Sequence, residues 1–411
     1  MDFLTLMRQR ELVGQISHED EFPEFLAGGK KAAYVGFDPT AGSLHVGHLL
    51  PVIALRRWQQ AGHRAVVLLG GGTAFIGDPT GKTEMRQMMD AQAINENAKK
   101  FVAQIGKFVD ISRPEKGVVV NNGDWLFQIN YLQFLRDFGV HFSVNRMLTA
   151  ESVKQRLEKG LSFLEFNYML LQAYDFYMLS QSHDCFIQLG GDDQWSNMLW
   201  GMELIRKKSR KQAFCMTIPL LTTSSGAKMG KTEKGAVWLD PNLTSPYEFF
   251  QYFRNVDDRD VRNCLLYFTD LTQENITSLT AEQGQKMNEA KVVLAFEMTK
   301  LVHGEEEAIK AKDVASKLFG GGEGQASADA PEFFVTKEML QQSKNLIDVL
   351  VASGVIPSKS EVRRLIEGGG LVVGGQKIAD FQSEIDEKAL SSDNGILVKK
   401  GKKHYYIMRL K

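Results

Sequence analysis

The feature that most constrains the fold is a pair of apolar runs separated by one helix-length segment. AAYVGFDPT (32–40) reads as a buried strand running into a proline-containing loop, and AVVLLGGG (65–72) reads as a second strand. Between them, SLHVGHLLPVIALRRWQQAG carries apolar residues at helical spacing, with Ser43 as the expected N-cap and Gly62 as the stop. Two strands joined by a helix of this length make a βαβ unit, because parallel strands need a long crossover. The expectation is an α/β fold built around a parallel sheet.

Further segments extend this unit. GVVVNN (117–122) and DCFIQLGGDDQW (184–195) read as strands, the second ending in glycines and acids. Residues 1–30 read as an amphipathic helix and a turn, 84–110 as helical, and 130–182 as mostly helical with breaks near Gly139 and Gly160. After SSGAKMGKT (224–232) the pattern is helical to about Phe319. GGGEGQASADAP (320–331) has nothing to bury and reads as a flexible linker. From about Lys344 a compact segment resumes, with two short amphipathic helices (345–353 and 358–367), then LVV and QKI, then a basic and aromatic tail. A chain of 411 residues is too long for one ordinary core, so two to three domains are expected.

Composition narrows the class of function. Hydrophobic residues make up 43% and charged residues 24%, the profile of a globular protein. A formal net charge of −1 excludes a bulk-basic coat, so any contact with RNA must come from local patches. Cys185, Cys215 and Cys264 are far apart and form no C-x-x-C pair, which argues against a disulfide framework or a zinc site and fits a reducing, cytoplasmic location. The N-terminus has no apolar signal-peptide core, and no run of 18 apolar residues is present, so no membrane association is expected.

Two constellations carry chemistry. HVGH places His45 and His48 one turn apart near the N-terminal end of the first crossover helix, where free N–H groups and the helix dipole favour an anion. Two imidazoles on one side can donate to charge developing on a phosphate, and Gly47 permits close approach. The bland alternative is a surface helix with two histidines. A zinc pair finds no third ligand nearby and no H-E-x-x-H pattern, so no metal site is read. AKMGKT offers Lys228, Lys231 and Thr232 around a turn-permissive centre, which suits a clamp on the phosphates of ATP. Alone, it would pass for a solvated basic loop.

Together, HVGH at the first helix and KMGKT after the last strand of an α/β domain resemble the class I aminoacyl-tRNA synthetases. YVGFDPTAGSLHVGH, GDPTGK, LLQAYDF, QLGGDDQW and KMGKTEKGAVWLDP follow in the order and spacing of the bacterial-type tyrosyl-tRNA synthetases, over nearly the whole chain. The resemblance implies a Rossmann-like catalytic domain with a helical insertion (1–223), then the KMGKT loop and an α-helical anticodon-binding region (224–319). A linker (320–344) and a small α+β S4-like RNA-binding domain (345–411) would complete the chain.

It also implies roles. Tyr34 and Asp175 match the family positions that read the phenol of L-tyrosine, while Asp78, Tyr168 and Gln172 match those that hold its ammonium, and Gln188 and Gln194 belong to the same pocket. Tyr168, Gln172 and Asp175 stand at i, i+4 and i+7 and so share one helix face. Gly36, Asp38, Thr40, His45, His48, Gly190 and Asp193 fall on the ATP side, with Asp193 at the ribose position. Lys82 and Arg86, with Lys228, Lys231 and Thr232, match the positions that hold the leaving pyrophosphate. Asp192 and Val35 depart from the family, where a small residue and a polar residue are common. ATP is the expected co-substrate, with Mg²⁺ carried on its phosphates, and the partners are tRNA(Tyr) and a second copy of the chain.

The C-terminal segment resembles the S4-type RNA-binding fold. Its expected RNA contacts are Arg363, Arg364, Lys399, Lys400, Lys402 and Lys403, with Tyr405 and Tyr406 placed to stack on bases. The apolar stretch YLQFLRDFGVHFSVNRM (131–147) lies where the family's homodimer interface lies; its alternative is an ordinary core helix. Three other functions fit parts of the pattern: a tryptophan-specific relative, a nucleotidyltransferase that uses H-x-G-H without tRNA, and an RNA-binding protein on a synthetase scaffold. Tyr34 with Asp175 speaks against the first, the S4-like tail against the second, and the two intact phosphate motifs against the third.

Overall fold

The computed structural model describes residues 2–78, 89–150, 153–154, 157, 160–232, 235–320, 332–385, 387–390, 395–401 and 404–411, without the side chains of 231–232, 317–320, 387–388 and 404. Two compact units divide the chain: Met1–Leu243 with Val256–Ala290, and Thr244–Asn255 with Lys291–Lys411.

The first unit is built on a five-stranded parallel sheet. Its strands are β1 (Ala32–Phe37), β2 (Arg64–Leu69), β3 (Gly117–Asn121), β4 (Cys185–Gly191) and β5 (Phe214–Ile218), in the order β3-β2-β1-β4-β5. Their near-continuous Val, Ile, Leu and Phe content has the physical cause expected of a parallel sheet covered on both faces. The chain leaves β1 towards β2 and β3, then crosses back to lay β4 on the other side of β1. This reversal opens a crevice beyond the carboxyl ends of β1 and β4, the usual ligand position in such sheets.

The helix after β1 begins later than expected. Val46–His48 form a 3-10 turn, and the α-helix proper is Leu49–Gln60. Ser43 is not its cap. The Ser43 hydroxyl is buried, donates to the Leu44 carbonyl at 2.7 Å and accepts from Gln104 Nε2 at 2.9 Å. His45 takes the capping position instead, its Nδ1 accepting from the Gly47 N–H. β5 is a strand that periodicity does not announce. AFCMTI is a short apolar run that reads equally as a buried helical turn, and pairing with β4 decides it. Helices Ala91–Ile105 and Phe163–Ser182 pack on the sheet, the second opened by a Ser162/Glu165 capping box. After β5, the short antiparallel pair β6 (Lys231–Thr232) and β7 (Gly235–Ala236) interrupts the expected helical run.

The second unit carries a mixed sheet in the order β10-β9-β11-β12-β8. Its strands are β8 (Glu332–Val335), β9 (Leu371–Val373), β10 (Gln376–Lys377), β11 (Ile396–Lys400) and β12 (His404–Leu410). β9 and β10 form a hairpin closed by Gly374 and Gly375, both at positive φ, as a two-residue turn requires. Helices Leu346–Ala352 and Lys359–Glu367 cover it, close to the expected bounds. The segment read as linker, 320–344, holds more structure than expected: β8 pairs parallel with β12 and helix Lys337–Gln342 follows, because Phe333, Val335 and Leu340 are buried in this core. Residues 321–331 lie outside the described residues.

Candidate active site

The crevice is floored by Tyr34 of β1, 1% exposed, in register with Gln188 of β4. Residues alternate faces along a strand, so Gly36 lies above Tyr34 on the same face, and it is the one exposed position in a strand otherwise buried. The missing side chain leaves the Tyr34 side of the sheet open at this point.

Helix Phe163–Ser182 brings the other wall. Its 3.6-residue period puts Tyr168, Gln172 and Asp175 along one side, and Asp175 is 2% exposed. Asn122 Nδ2 donates to Asp175 Oδ2 at 2.8 Å, and Trp125 Nε1 donates to Asp175 Oδ1 at 2.7 Å. Burial pushes the Asp175 carboxyl up to about 7, while the Asn122 and Trp125 donors pull the other way. Burial first, then the Asp175 carboxylate, raise the Tyr34 phenol well above its ordinary value, so it remains a neutral hydroxyl.

The network continues past Asp175. Asn122 Nδ2 also reaches Thr73 Oγ1 at 2.9 Å, and its Oδ1 accepts from the Gly72 N–H at 2.7 Å. Thr73 Oγ1 donates to Asp38 Oδ1 at 2.7 Å, and Tyr168 OH donates to Asp38 Oδ2 at 2.9 Å. Gln194 Nε2 donates to Asp78 Oδ2 at 3.0 Å and accepts, through Oε1, from Asn197 Nδ2 at 3.2 Å. Burial, then the Asp78 carboxylate, raise Asp193, while Lys228 opposes them. Among the described residues, three buried polar atoms of this pocket find no hydrogen-bond partner: Tyr34 OH, Gln172 Oε1 and Gln188 Oε1. Orphaned polar atoms cost free energy unless a polar ligand pairs with them.

On the adjacent side, the imidazoles of His45 and His48 lie 3.9 Å apart between ring centroids. Each Nδ1 accepts a backbone N–H, His45 from Gly47 at 3.0 Å and His48 from His45 at 3.1 Å. A ring nitrogen that accepts holds no proton, so the neutral ring carries its proton on Nε2, as a phosphate donor must. Gly47 is required by contact: a Cβ there would sit 2.8 Å from His45 Cε1. The KMGKT stretch docks onto this turn. Val46 N donates to Val237 O at 3.0 Å, Leu239 N to Leu44 O at 2.9 Å, and Val237 N to Gly230 O at 2.8 Å.

Comparison with known proteins fits this geometry. The family model for tRNA synthetases class I (W and Y) matches residues 27–320, and that for the tyrosine–tRNA ligase SYY-like C-terminal domain matches 324–408. The chain belongs to the class I tRNA synthetases of the tryptophan and tyrosine family. It is 52% identical over 398 residues to tyrosine–tRNA ligase 1 of Clostridium acetobutylicum, covering 97% of each chain. It is 53% identical over 403 residues to the tyrosine–tRNA ligase of Clostridium perfringens strain SM101, covering 98% of each. A C-terminally truncated mitochondrial tyrosyl-tRNA synthetase from Aspergillus nidulans superposes at a TM-score of 0.69 with 30% identity, over 77% of this chain and 94% of that one.

Against this family frame, most of the expected site residues converge on one crevice, and several stand differently from expectation. Thr40 donates its N–H to the Asp38 carbonyl at 2.8 Å and so shapes the turn after β1. Gly190 makes room for the helix behind it, since a Cβ would lie 3.0 Å from Met198 Sδ. Lys82 and Arg86 lie outside the described residues, as do Lys402 and Lys403, and the side chains of Lys231 and Thr232 are likewise not described. Arg363 and Arg364 are exposed on helix Lys359–Glu367. Lys400 is corrected: it is 7% exposed and paired with Glu361 Oε1 at 2.5 Å, because inward positions of β11 alternate and 400 falls on the core side. Tyr406 is corrected for the same reason, buried against Phe333 in the sheet core. Lys399 and Tyr405 form the outward pair, with Nζ 5.4 Å from the ring centroid.

Asn122, Trp125 and Thr73 are functional-site residues that motif reading misses. Asn122 ends GVVVNN, so a search restricted to polar residues just past strand ends would have found it.

Proposed function

We propose that the chain is a tyrosine–tRNA ligase. It activates L-tyrosine with ATP to tyrosyl-adenylate and pyrophosphate, then transfers tyrosine to the 3′-terminal adenosine of tRNA(Tyr). The observation that carries this reading is the burial of two polar groups, the Tyr34 hydroxyl and the Asp175 carboxyl, in one crevice beneath an open glycine, beside the docked HVGH and KMGKT segments. Such groups reject phenylalanine, which brings no hydroxyl to pair with the buried Tyr34 hydroxyl or to donate to Asp175. Asp78, Tyr168, Gln172, Gln188 and Gln194 hold the rest of the amino acid. The substrate carboxylate is already anionic and attacks the α-phosphorus in line, so the first step needs no strong base. His45 and His48 donate through Nε2 to charge that develops on the phosphates, and Lys82, Arg86, Lys228, Lys231 and Thr232 clamp the leaving pyrophosphate. Mg²⁺ would ride on the ATP phosphates rather than in a cage of protein side chains. When bound, it neutralises phosphate charge.

The division into a catalytic part (1–223), an anticodon-binding part (224–319) and an S4-like part (345–411) belongs to this proposal, as does RNA contact through Arg363, Arg364, Lys399, Lys402 and Lys403. So does the homodimer. Leu132 is 75% exposed and Val140 69%, which supports an apolar interface at 131–147. Among the described residues, no helix is long and apolar enough to cross a membrane, and a cytoplasmic location is part of the same proposal. The test is ATP–pyrophosphate exchange run in parallel with tyrosine, phenylalanine and tryptophan. Exchange with tyrosine alone is expected; exchange with none of the three overturns the enzyme reading.

A further inference from the structure

We infer that Asp192, the residue that departs from the family pattern, is a positioning residue for the nucleotide side of the site, acting through Thr217 and the N-terminal segment. Asp192 opens the 3-10 turn Asp192–Gln194, which carries Asp193 and Gln194 at the end of β4. Thr217 of β5 donates its hydroxyl to Asp192 Oδ1. The direction is forced. Thr217 Oγ1 accepts the Gln15 N–H at 2.7 Å, and a backbone N–H can only donate, so the hydroxyl proton is directed at the carboxylate.

Thr217 is itself fully buried and fixed on its backbone. Gly14 N donates to Thr217 O at 2.9 Å, Thr217 N to Gln15 O at 2.8 Å, and Ser17 N to Cys215 O at 2.9 Å. The N-terminal segment thus adds an extended strip to the outer edge of β5, completed by the bridge of Ile16 with Met216. Gly14 closes the arrangement, for a Cβ there would collide with the Asp192 carboxylate and the Thr217 hydroxyl. Asp192 is thereby engaged away from the crevice. Its hydrogen bond ties the start of the Asp193–Gln194 turn to a strip outside the parallel sheet.

This inference rests on the proposed function, and the test separates the two. In the full chain, pyrophosphate exchange is measured with Asp192→Ser, Thr217→Val, Thr217→Ser and the double variant Asp192→Ser/Thr217→Val, alongside tyrosine affinity and thermal midpoints. If the unaltered protein shows no tyrosine-dependent exchange, the proposed function fails. If it does, Asp192→Ser and Thr217→Val are each expected to raise the KM for ATP about tenfold, the scale of one charge-assisted hydrogen bond. Because the same turn carries Gln194, tyrosine affinity should fall as well, but by less than that for ATP; Thr217→Ser should keep the KM of the unaltered protein, and the double variant should match either single one. An unchanged KM for ATP in both single variants, additive effects, or a fall in thermal midpoint without a change in KM would overturn it.

Discussion

Asp175 shows how one buried carboxylate is held for recognition. Its folded pKa of about 7 lies above the unfolded value of about 4, so protonation favours the folded state. The sign follows directly: its contribution to stability is greatest below the unfolded value, falls as pH rises, and levels off above about 7. Relative to Asp175→Asn, the unaltered protein should therefore lose stability between about pH 5 and 7, by up to ~1.4 kcal/mol per pH unit, in denaturant titrations. Asn122→Ala removes a donor that favours the ionised form, so it should extend the upper edge of that window to higher pH. At Tyr34 the structure leaves a buried hydroxyl without a partner among the described residues. Tyr34→Phe should leave the free protein at least as stable by thermal melting, yet raise the KM for tyrosine about tenfold, without weakening phenylalanine.

At the scale of elements, the helix Leu49–Gln60 that follows HVGH is bound to the helix Asp258–Phe268 by a buried arginine. Arg57 Nη2 lies 3.4 Å from the Leu266 carbonyl and 3.5 Å from that of Thr269, and Arg10 Nη1 reaches the same Thr269 oxygen at 3.0 Å. These are the carbonyls a helix leaves unpaired at its C-terminal end. Burial lowers the Arg57 guanidinium to about 10, still charged at neutral pH. Asp260, on the same helix, accepts the Ser224 N–H at 2.7 Å at the base of the KMGKT stretch. The helix thus contacts the segments bearing both phosphate motifs. Arg57→Ala should cost about 3 kcal/mol in chemical denaturation, because it strands the buried Leu266 carbonyl, leaves Arg10 as the side-chain donor to that of Thr269, and opens a cavity. On β11, adjacent lysines should separate cleanly. Lys399→Ala should weaken tRNA binding and lower its salt dependence by about one ion, whereas Lys400→Met should alter stability and leave RNA affinity unchanged, as its partner is Glu361.

For the whole molecule, the decisive surface is the apolar one of the stretch 131–147 with Phe127 and Phe163 beside it in the chain. Phe127, Leu132, Val140 and Phe163 are all more than half exposed, although the same segment sends Phe134 and Met147 inward to a core with Trp200 and Leu204. Under the proposed homodimer, this apolar surface, contributed by several short elements, is what a second copy of the chain would cover. Val140→Asp should shift sedimentation from dimer to monomer. The net charge of −1 bears on tRNA in the same way: attraction cannot come from the molecule's overall field, so it must come from clustered residues, and salt should weaken binding steeply.

The sequence alone determined the parallel-sheet class, because two apolar strands flanking one helical period admit little else. It also determined the family and the convergence of Tyr168, Gln172 and Asp175 on one helix face, which follows from the helical period. It could not determine β5, a five-residue run whose strand character comes only from pairing with β4. Nor could it say which of Lys399 and Lys400 faces out, since strand register depends on neighbours and a shift of one residue inverts every side chain. The bonds that join the HVGH turn to Val237 and Leu239, the Asn122 and Trp125 donors to Asp175, and the engagement of Asp192 by Thr217 all join residues distant in the chain. Such bonds carry no local periodicity, so only the tertiary structure decided them.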